Sequence, residues 1–284
     1  MKTYLKILGI SIFATAFYVI GSVIMPFSES FKAAASQGAN PFSVLFFLTI
    51  NIWFTVTVFY IGRNSDWSKR RLTFTLLFVY LTIYGFMTQI ETIFFGSVFK
   101  VLSKSDPWVI ILANIVPLIV IIPRALKMAK TTYPKANPKI EIKLTTILWK
   151  IGVLGVVYMF VYFLFGYFIA WQFEALRVFY SGSAEKLPFI QHMVSIYRDS
   201  NIFLFQLVRG ILFSIFILPI VLMFKAKSKE LLVSLILVYL STSIVLITPN
   251  FLFPDVVRWA HFIEMMSSMT LFSVITWWVW RKKG

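Results

Sequence analysis

The chain of 284 residues contains no cysteine and few charged residues. Without cysteine it forms no disulfide, offers no thiolate to a metal and has no cysteine nucleophile. Only 13% of its residues are charged, whereas about a quarter would be expected in a soluble domain. The two histidines, His192 and His261, restrict imidazole chemistry to two positions. The scarcity of charge excludes a soluble globular protein, a disordered chain and a fibre.

Apolar residues are abundant instead, at 59% of the chain, and they form long unbroken runs rather than an alternating pattern. About 20 apolar residues cross a bilayer as a helix, whereas an outer-membrane barrel would show short alternating segments. The sequence therefore predicts an all-α polytopic membrane protein, with about eight transmembrane helices in a single integral membrane domain over 1–284. The predicted spans are 5–26, 43–62, 72–97, 108–124, 147–170, 202–224, 231–249 and 260–280.

The basic residues fall almost entirely on one side of these spans. With both termini cytoplasmic, nineteen of the 27 basic and three of the eleven acidic residues lie on the cytoplasmic side. That side then carries the whole net charge of +16, as the positive-inside rule requires. We therefore expect cytoplasmic termini, and membrane lipid rather than nucleic acid as the partner of the basic loops. A multi-pass protein of a bacterial plasma (inner) membrane fits this composition.

Three details of the spans carry further expectations. The first apolar run is longer than that of a signal peptide, so we expect it to remain uncleaved although Ala33–Ala35 resembles a cleavage site. In the third span, Thr73, Tyr80, Tyr84, Thr88 and Glu91 fall on one face of a regular helix. In the fifth span, Gly152 and Gly155 predict close packing against another helix.

The extracytoplasmic connection 171–201 has its own helical pattern. Residues 171–180 can continue the fifth helix, and Ser181-Gly182-Ser183 breaks it. Pro188 then starts a second short helix, Phe189–Arg198, that mixes apolar and polar residues. Such a segment can lie at the membrane interface as a lid, or it can be an ordinary amphipathic connector.

Several ionisable residues lie inside the predicted spans, all in the outer third of the membrane. Each charge costs about 2.5–3.5 kcal/mol at the centre of a span, so such residues usually have a function. They can also form a structural network, and Glu91–Arg209 and Glu264–Arg258 are the expected ion pairs. The candidates for ligand binding or proton coupling are Glu91, Arg209, Arg258, His261, Glu264, Gln89, Gln206 and Glu174.

These residue types allow several chemistries. A catalytic zinc usually has two or three histidine ligands and an arginine opposes a cation, so no metal and no cofactor are expected. An enzyme acting on a lipid-linked substrate would use Glu91, Glu264 or His261 as acid or base and the arginines to hold a phosphate. No phosphate-binding loop or nucleophile motif supports that reading.

The leading interpretation is binding or transport of a small polar or amphipathic ligand, with coupled protonation at Glu91 or at His261 and Glu264. The alternatives are the lipid-directed enzyme and a non-catalytic assembly or immunity factor. The last would act through a membrane-protein partner.

Overall fold

A computed structural model describes residues 2–38, 40, 42–134, 142–199 and 201–281. Within these ranges the regular structure is helical, and eight helices are long and apolar enough to span a membrane. The predicted polytopic helical fold is thus confirmed. The spans are Lys2–Ile24, Ser43–Asn64, Lys69–Phe94, Asp106–Ala129, Leu144–Gln172, Ile202–Met223, Ser228–Ile247 and Asp255–Trp280.

Shorter helices and turns interrupt or join these spans. A π-helical segment, Tyr80–Phe86, divides the third span, and 3-10 turns at Ala170–Gln172 and Val245–Ile247 end the fifth and seventh. The α-helices are α1 (Lys2–Ile24), α2 (Glu29–Gln37), α3 (Ser43–Asn64), α4 (Lys69–Val79), α5 (Met87–Phe94), α6 (Asp106–Ala129), α7 (Leu144–Phe168), α8 (Glu174–Ser181), α9 (Phe189–Asp199), α10 (Ile202–Met223), α11 (Ser228–Tyr239), α12 (Ser241–Ile244) and α13 (Asp255–Trp280).

The loops form two opposite faces of the bundle. We call the face with 65–68, 130–134 and 224–227 the basic face, and the face with 25–28, 95–105, 182–188 and 248–254 the cavity face. Lysines on the basic face cap a helix end: Lys130 Nζ donates to Ser65 O at 2.5 Å, and Lys227 Nζ donates to Asn64 O at 2.8 Å. These carbonyls end α3, where a cation also meets the negative end of the helix dipole.

Buried polar contacts join α1 to the bundle. Ser11 Oγ lies 3.0 Å from Thr55 Oγ1, and Asn51 Nδ2 donates to Thr15 Oγ1 at 2.9 Å. Such groups need partners in an apolar setting, so they fix how α1 and α3 face each other. The segment Ala33–Ala35 lies within α2.

Helices α7 and α10 meet at two glycines. A Cβ on Gly210 would lie 2.6 Å from Gly155 O and 2.6 Å from Tyr158 Cβ, which no side chain can accommodate. The close packing predicted at Gly155 is confirmed, and Gly210 is its counterpart. The prediction is wrong for Gly152, because a Cβ there has nothing within 4 Å.

The π-helical segment changes the face that the third span presents. Tyr80 and Tyr84 are buried and contact the ring of Phe54 at centroid distances of 5.2 and 4.7 Å, while Thr73 is only half-buried. The single hydroxyl stripe predicted from a regular helix is therefore wrong. A π turn bonds residue i to i+5, so residues on either side of it lose the common face that 100° per residue would give.

Four aromatic side chains form a layer across the middle of the bundle. Tyr158, Phe213, Tyr239 and Phe272 come from four spans, are buried, and contact one another at centroid distances of 5.0–5.9 Å. We call them the aromatic layer. These contacts join the four spans to one another.

The 171–201 region differs in part from its prediction. The fifth helix does not run on to Tyr180: α7 ends at Phe168, and α8 starts anew at Glu174 after the 3-10 turn. The predicted break is confirmed, since Gly182 ends α8 with φ +72°, a conformation that favours glycine. The second short helix is also confirmed, as α9.

Candidate functional site

A large cavity opens on the cavity face. Its volume is about 910 Å³, and spanning helices, α8 and α9 line it. Its floor is the upper side of the aromatic layer, where Tyr158 and Phe213 reach the cavity while Tyr239 and Phe272 lie beneath. Five of the eight candidate residues line it: Gln89, Glu91, Arg209, His261 and Glu264.

One buried ion pair joins α5 to α10. Arg209 Nη1 donates to Glu91 Oε1 and to Gln206 Oε1, the latter at 2.9 Å. The side chain of Arg209 is 3% exposed and that of Glu91 is 30% exposed, so the carboxylate faces the cavity and the guanidinium lies behind it. The predicted pair Glu91–Arg209 is therefore present. Gln206 does not line the cavity but supports the pair through its amide oxygen.

Aromatic rings surround this guanidinium. Arg209 Cζ lies 5.7–6.0 Å from the ring centroids of Tyr158, Tyr162, Phe205 and Phe213. The negative faces of such rings favour a cation at these distances. The wall of the cavity thus already holds one delocalised cation in an aromatic setting.

A second polar group links α13 to α8. Glu264 is 6% exposed; its Oε2 lies 3.8 Å from His261 Nδ1, and its Oε1 accepts from Ser268 Oγ at 3.4 Å. On the other side of the imidazole, Nε2 lies 2.9 Å from the Tyr180 hydroxyl. Burial raises the pKa of Tyr180, and Glu91 and Glu264 raise it further, so this phenol stays protonated. With a neutral imidazole, the phenol donates to Nε2 and Nδ1–H faces the carboxylate.

Arg258 does not join this group, and the predicted pair Glu264–Arg258 is wrong. Arg258 Nη2 contacts Asp255 Oδ1 at 2.8 Å, and Nη1 donates to Leu246 O at 2.7 Å and to Ile247 O at 3.0 Å. It therefore caps the 3-10 turn that ends the seventh span. Six positions along a helix place Arg258 and Glu264 about 120° apart, whereas Asp255, three positions away, shares the arginine's face.

Gln89 and Glu174 have different surroundings. Gln89 lines the cavity and donates only a long bond of 3.5 Å to Thr88 Oγ1. Glu174 begins α8 and lines a separate surface pocket with Phe179 and Pro254, so it lies outside the cavity.

Helix α9 contributes one face to the cavity. His192, Met193 and Ile196 line it, whereas Ile190 and Tyr197 do not and are 69% and 73% exposed. The His192 ring contacts that of Trp171 at 4.7 Å, and burial lowers the pKa of His192. The neutral imidazole is therefore the form that packs here.

Sequence reasoning missed the tyrosines of the cavity. In the sequence, nothing distinguishes Tyr158 and Tyr162 from the other residues of an apolar span, and Tyr180 belongs to a predicted loop helix. Only the fold brings Tyr180 to His261, 81 positions away. The spacing of Tyr158 and Tyr162, one turn apart in an apolar span, was the one feature of the sequence that could have indicated them.

Within the described ranges, no group of three or more histidine, aspartate or glutamate side chains is placed to hold a metal ion. Comparison with protein-family models, curated proteins and solved structures finds no match for this chain. The cavity is therefore the feature of the molecule that bears most directly on its function.

Proposed function

We propose that this protein binds or transports a small amphipathic ligand that reaches the cavity from the extracytoplasmic side. The observation that carries the proposal is the cavity itself: about 910 Å³, with a mostly apolar lining that includes many aromatic rings, and a few convergent polar groups. These are the usual size and lining of a small-molecule site.

A purely structural ion network would not need this space. Protein interiors are close-packed, and side chains that exist to join helices leave few voids larger than a water molecule. Here Glu91 and Glu264 lie at the edge of a large cavity instead of filling it. This favours a ligand site over an assembly factor whose polar residues serve only to hold the fold.

Protonation at the cavity would couple to occupancy. Glu264, His261 and Tyr180 form a chain of a carboxylate, an imidazole and a phenol, through which a proton can be held or released. In a carrier, the aromatic layer would be the barrier that opens toward the basic face. The proton would then move with, or against, the ligand.

The direct test is native mass spectrometry of the protein in lipid nanodiscs made from its own membranes. We compare the wild type with Glu264→Gln and with the double variant His261→Ala/Glu264→Gln. Glu174→Gln is the matched control, because Glu174 lies outside the cavity.

A non-protein mass should accompany the wild type and Glu174→Gln and be lost or strongly reduced in both cavity variants. Four bare proteins of equal monodispersity would contradict the proposal. So would a mass that the double variant retains unchanged.

An enzyme acting on a lipid-linked substrate is the second candidate, and the contact between Tyr180 and His261 favours it. That contact places a general acid beside a base at the cavity wall. Arg258, however, already donates to Asp255 and to two backbone carbonyls. One of the two arginines expected to bind a phosphate is therefore engaged elsewhere. Turnover of a membrane lipid extract in detergent, lost in His261→Ala, would favour the enzyme, because a carrier needs two compartments.

A further inference from the structure

The cavity is unequally charged. Four charged side chains line it within the described part of the chain: Glu91, Glu185, Glu264 and Arg209. Arg209 is already paired with Glu91. Glu185 is exposed at the mouth, and Glu264 is buried deeper. An excess of negative charge therefore remains.

Glu264 lacks a permanent cationic partner among the described residues. Its nearest basic group is His261, 3.8 Å away, which carries charge only when protonated. Glu264 is 6% exposed, and a buried carboxylate is stabilised by a cation placed beside it. The site thus has room and charge for one positive group.

Two other side chains present unused acceptors at the same cavity. Gln89 Oε1 and Thr248 Oγ1 are buried and have no hydrogen-bond partner in the described structure, and both residues line the cavity. Thr248 is 5% exposed. Buried polar atoms normally find a partner, so these two are available to accept hydrogen bonds from a ligand.

Aromatic rings converge on the same region. Tyr162 and Tyr180 line the same cavity as Glu91 and Glu264, so the two carboxylates share a space that contains aromatic rings. Arg209 shows that a delocalised cation is stable among these rings. Aromatic faces combined with carboxylates are the chemistry that recognises quaternary organic cations.

We propose that the ligand is an amphiphilic organic cation whose positive centre lies beside Glu264 among Tyr162, Tyr180 and Tyr158. This inference rests on the proposed ligand-binding function and specifies the charge of its ligand.

Two probes of matched shape and opposite charge test the proposal: tetraphenylphosphonium and tetraphenylborate. Their binding to the purified full-length protein is measured by isothermal titration calorimetry, with empty detergent micelles titrated as the blank. The proteins are the wild type, Glu264→Gln, Glu174→Gln and Gln89→Lys. The last places a positive charge at the cavity wall and keeps the test informative if Glu264→Gln does not fold.

The phosphonium should bind the wild type and Glu174→Gln, and its affinity should fall at least about tenfold in Glu264→Gln, which equals about 1.4 kcal/mol. Gln89→Lys should lose the phosphonium and bind the borate better than the wild type does. The cation assignment would be overturned if the borate binds the wild type, or if the phosphonium binds Glu264→Gln and Gln89→Lys as tightly as the wild type. Either result would still be compatible with a ligand site in the cavity. If neither probe binds, the cation assignment fails, and the mass spectrometry above decides the ligand site separately.

Discussion

At the scale of single residues, the Arg209 side chain depends on one carboxylate. The guanidinium is buried, and Glu91 is the acid that contacts it. Breaking a buried pair by removing one partner usually costs about 3–5 kcal/mol, because the remaining charge is left uncompensated.

Glu91→Gln should therefore lower the free energy of unfolding in detergent by about 3–5 kcal/mol. The double variant Glu91→Gln/Arg209→Met should recover much of that loss, because no charge then remains buried. Glu29→Gln is the control: it breaks the exposed pair with Lys32 and should cost less than about 1 kcal/mol. Equal losses for Glu91→Gln and Glu29→Gln would show that the buried pair does not hold α5 against α10.

The sequence was sufficient to locate the costly residues but not all of their partners. Glu91, Arg209, His261 and Glu264 stand out because charge is rare in apolar spans. Their contacts depend on helix rotation, and Arg258 pairs with Asp255, three positions before it, rather than with Glu264, six positions after it in the same helix. Neutral residues such as Tyr180 and Thr248 carry no such signal and become visible only through the fold.

At the scale of elements, the α7–α10 contact positions both Arg209 and two cavity tyrosines. Gly210 directly follows Arg209, and Gly155 precedes Tyr158 by three positions. The backbones approach so closely that no Cβ fits at Gly210. The crossing therefore fixes the distance between the cation and the rings around it.

Gly210→Ala should lower the free energy of unfolding by about 1–3 kcal/mol, as overpacking commonly does. Gly152→Ala is the matched control, because its Cβ would enter open space; it should be neutral or gain about 0.5–1 kcal/mol from helix propensity. Thermal unfolding of the two variants in the same detergent gives the comparison. A Gly210→Ala protein as stable as Gly152→Ala would contradict the close crossing.

Packing of α9 should depend on pH through His192. Burial lowers the pKa of His192, so the packed helix favours the neutral ring. Packing should be complete above the unperturbed value of about 6.5 and weaken as the pH falls below it, toward the lowered value.

The absence of native cysteine allows a direct readout of this effect. Met193→Cys lines the cavity, whereas Ile190→Cys, one turn away, is exposed. The maleimide labelling rate of Met193→Cys, divided by that of Ile190→Cys, should rise several-fold when the pH is lowered from 7.5 to 5. Dividing the two rates cancels the pH dependence of thiol reactivity. In a His192→Gln background the ratio should stay flat; a rise that persists there would assign the effect to another group.

At the scale of the whole molecule, charge determines the expected orientation. The lysine-capped loops lie on the basic face, and the cavity opens on the opposite face. Eight apolar runs and their charge bias were sufficient to predict the fold. The π segment, the kink before α8, and the size and lining of the cavity were not predictable, because they depend on local backbone departures and on how helices splay.

Single cysteines at Ser36 and Thr132 test this orientation. Ser36 is exposed on α2 at the cavity face, and Thr132 is exposed on the basic face. In intact cells, a membrane-impermeant maleimide should label Ser36→Cys, and it should label Thr132→Cys only after permeabilisation. The reverse pattern would place the cavity toward the cytoplasm.

The charge preference of a cysteine placed beside Glu264 tests most directly whether the cavity is accessible and negatively charged. Ser268→Cys is treated with cationic trimethylammonium-ethyl or anionic sulfonato-ethyl methanethiosulfonate, and each rate is normalised to that of Ser36→Cys. Ser273→Cys, fully buried beside Phe272 of the aromatic layer, is the negative control.

We expect Ser268→Cys to react with both reagents from the cavity face. The normalised rate should be about tenfold higher for the cationic reagent, which equals about 1.4 kcal/mol. Ser273→Cys should be inert to both. A Ser268→Cys protein that neither reagent modifies would contradict an accessible site, and a preference for the anion would contradict its negative character.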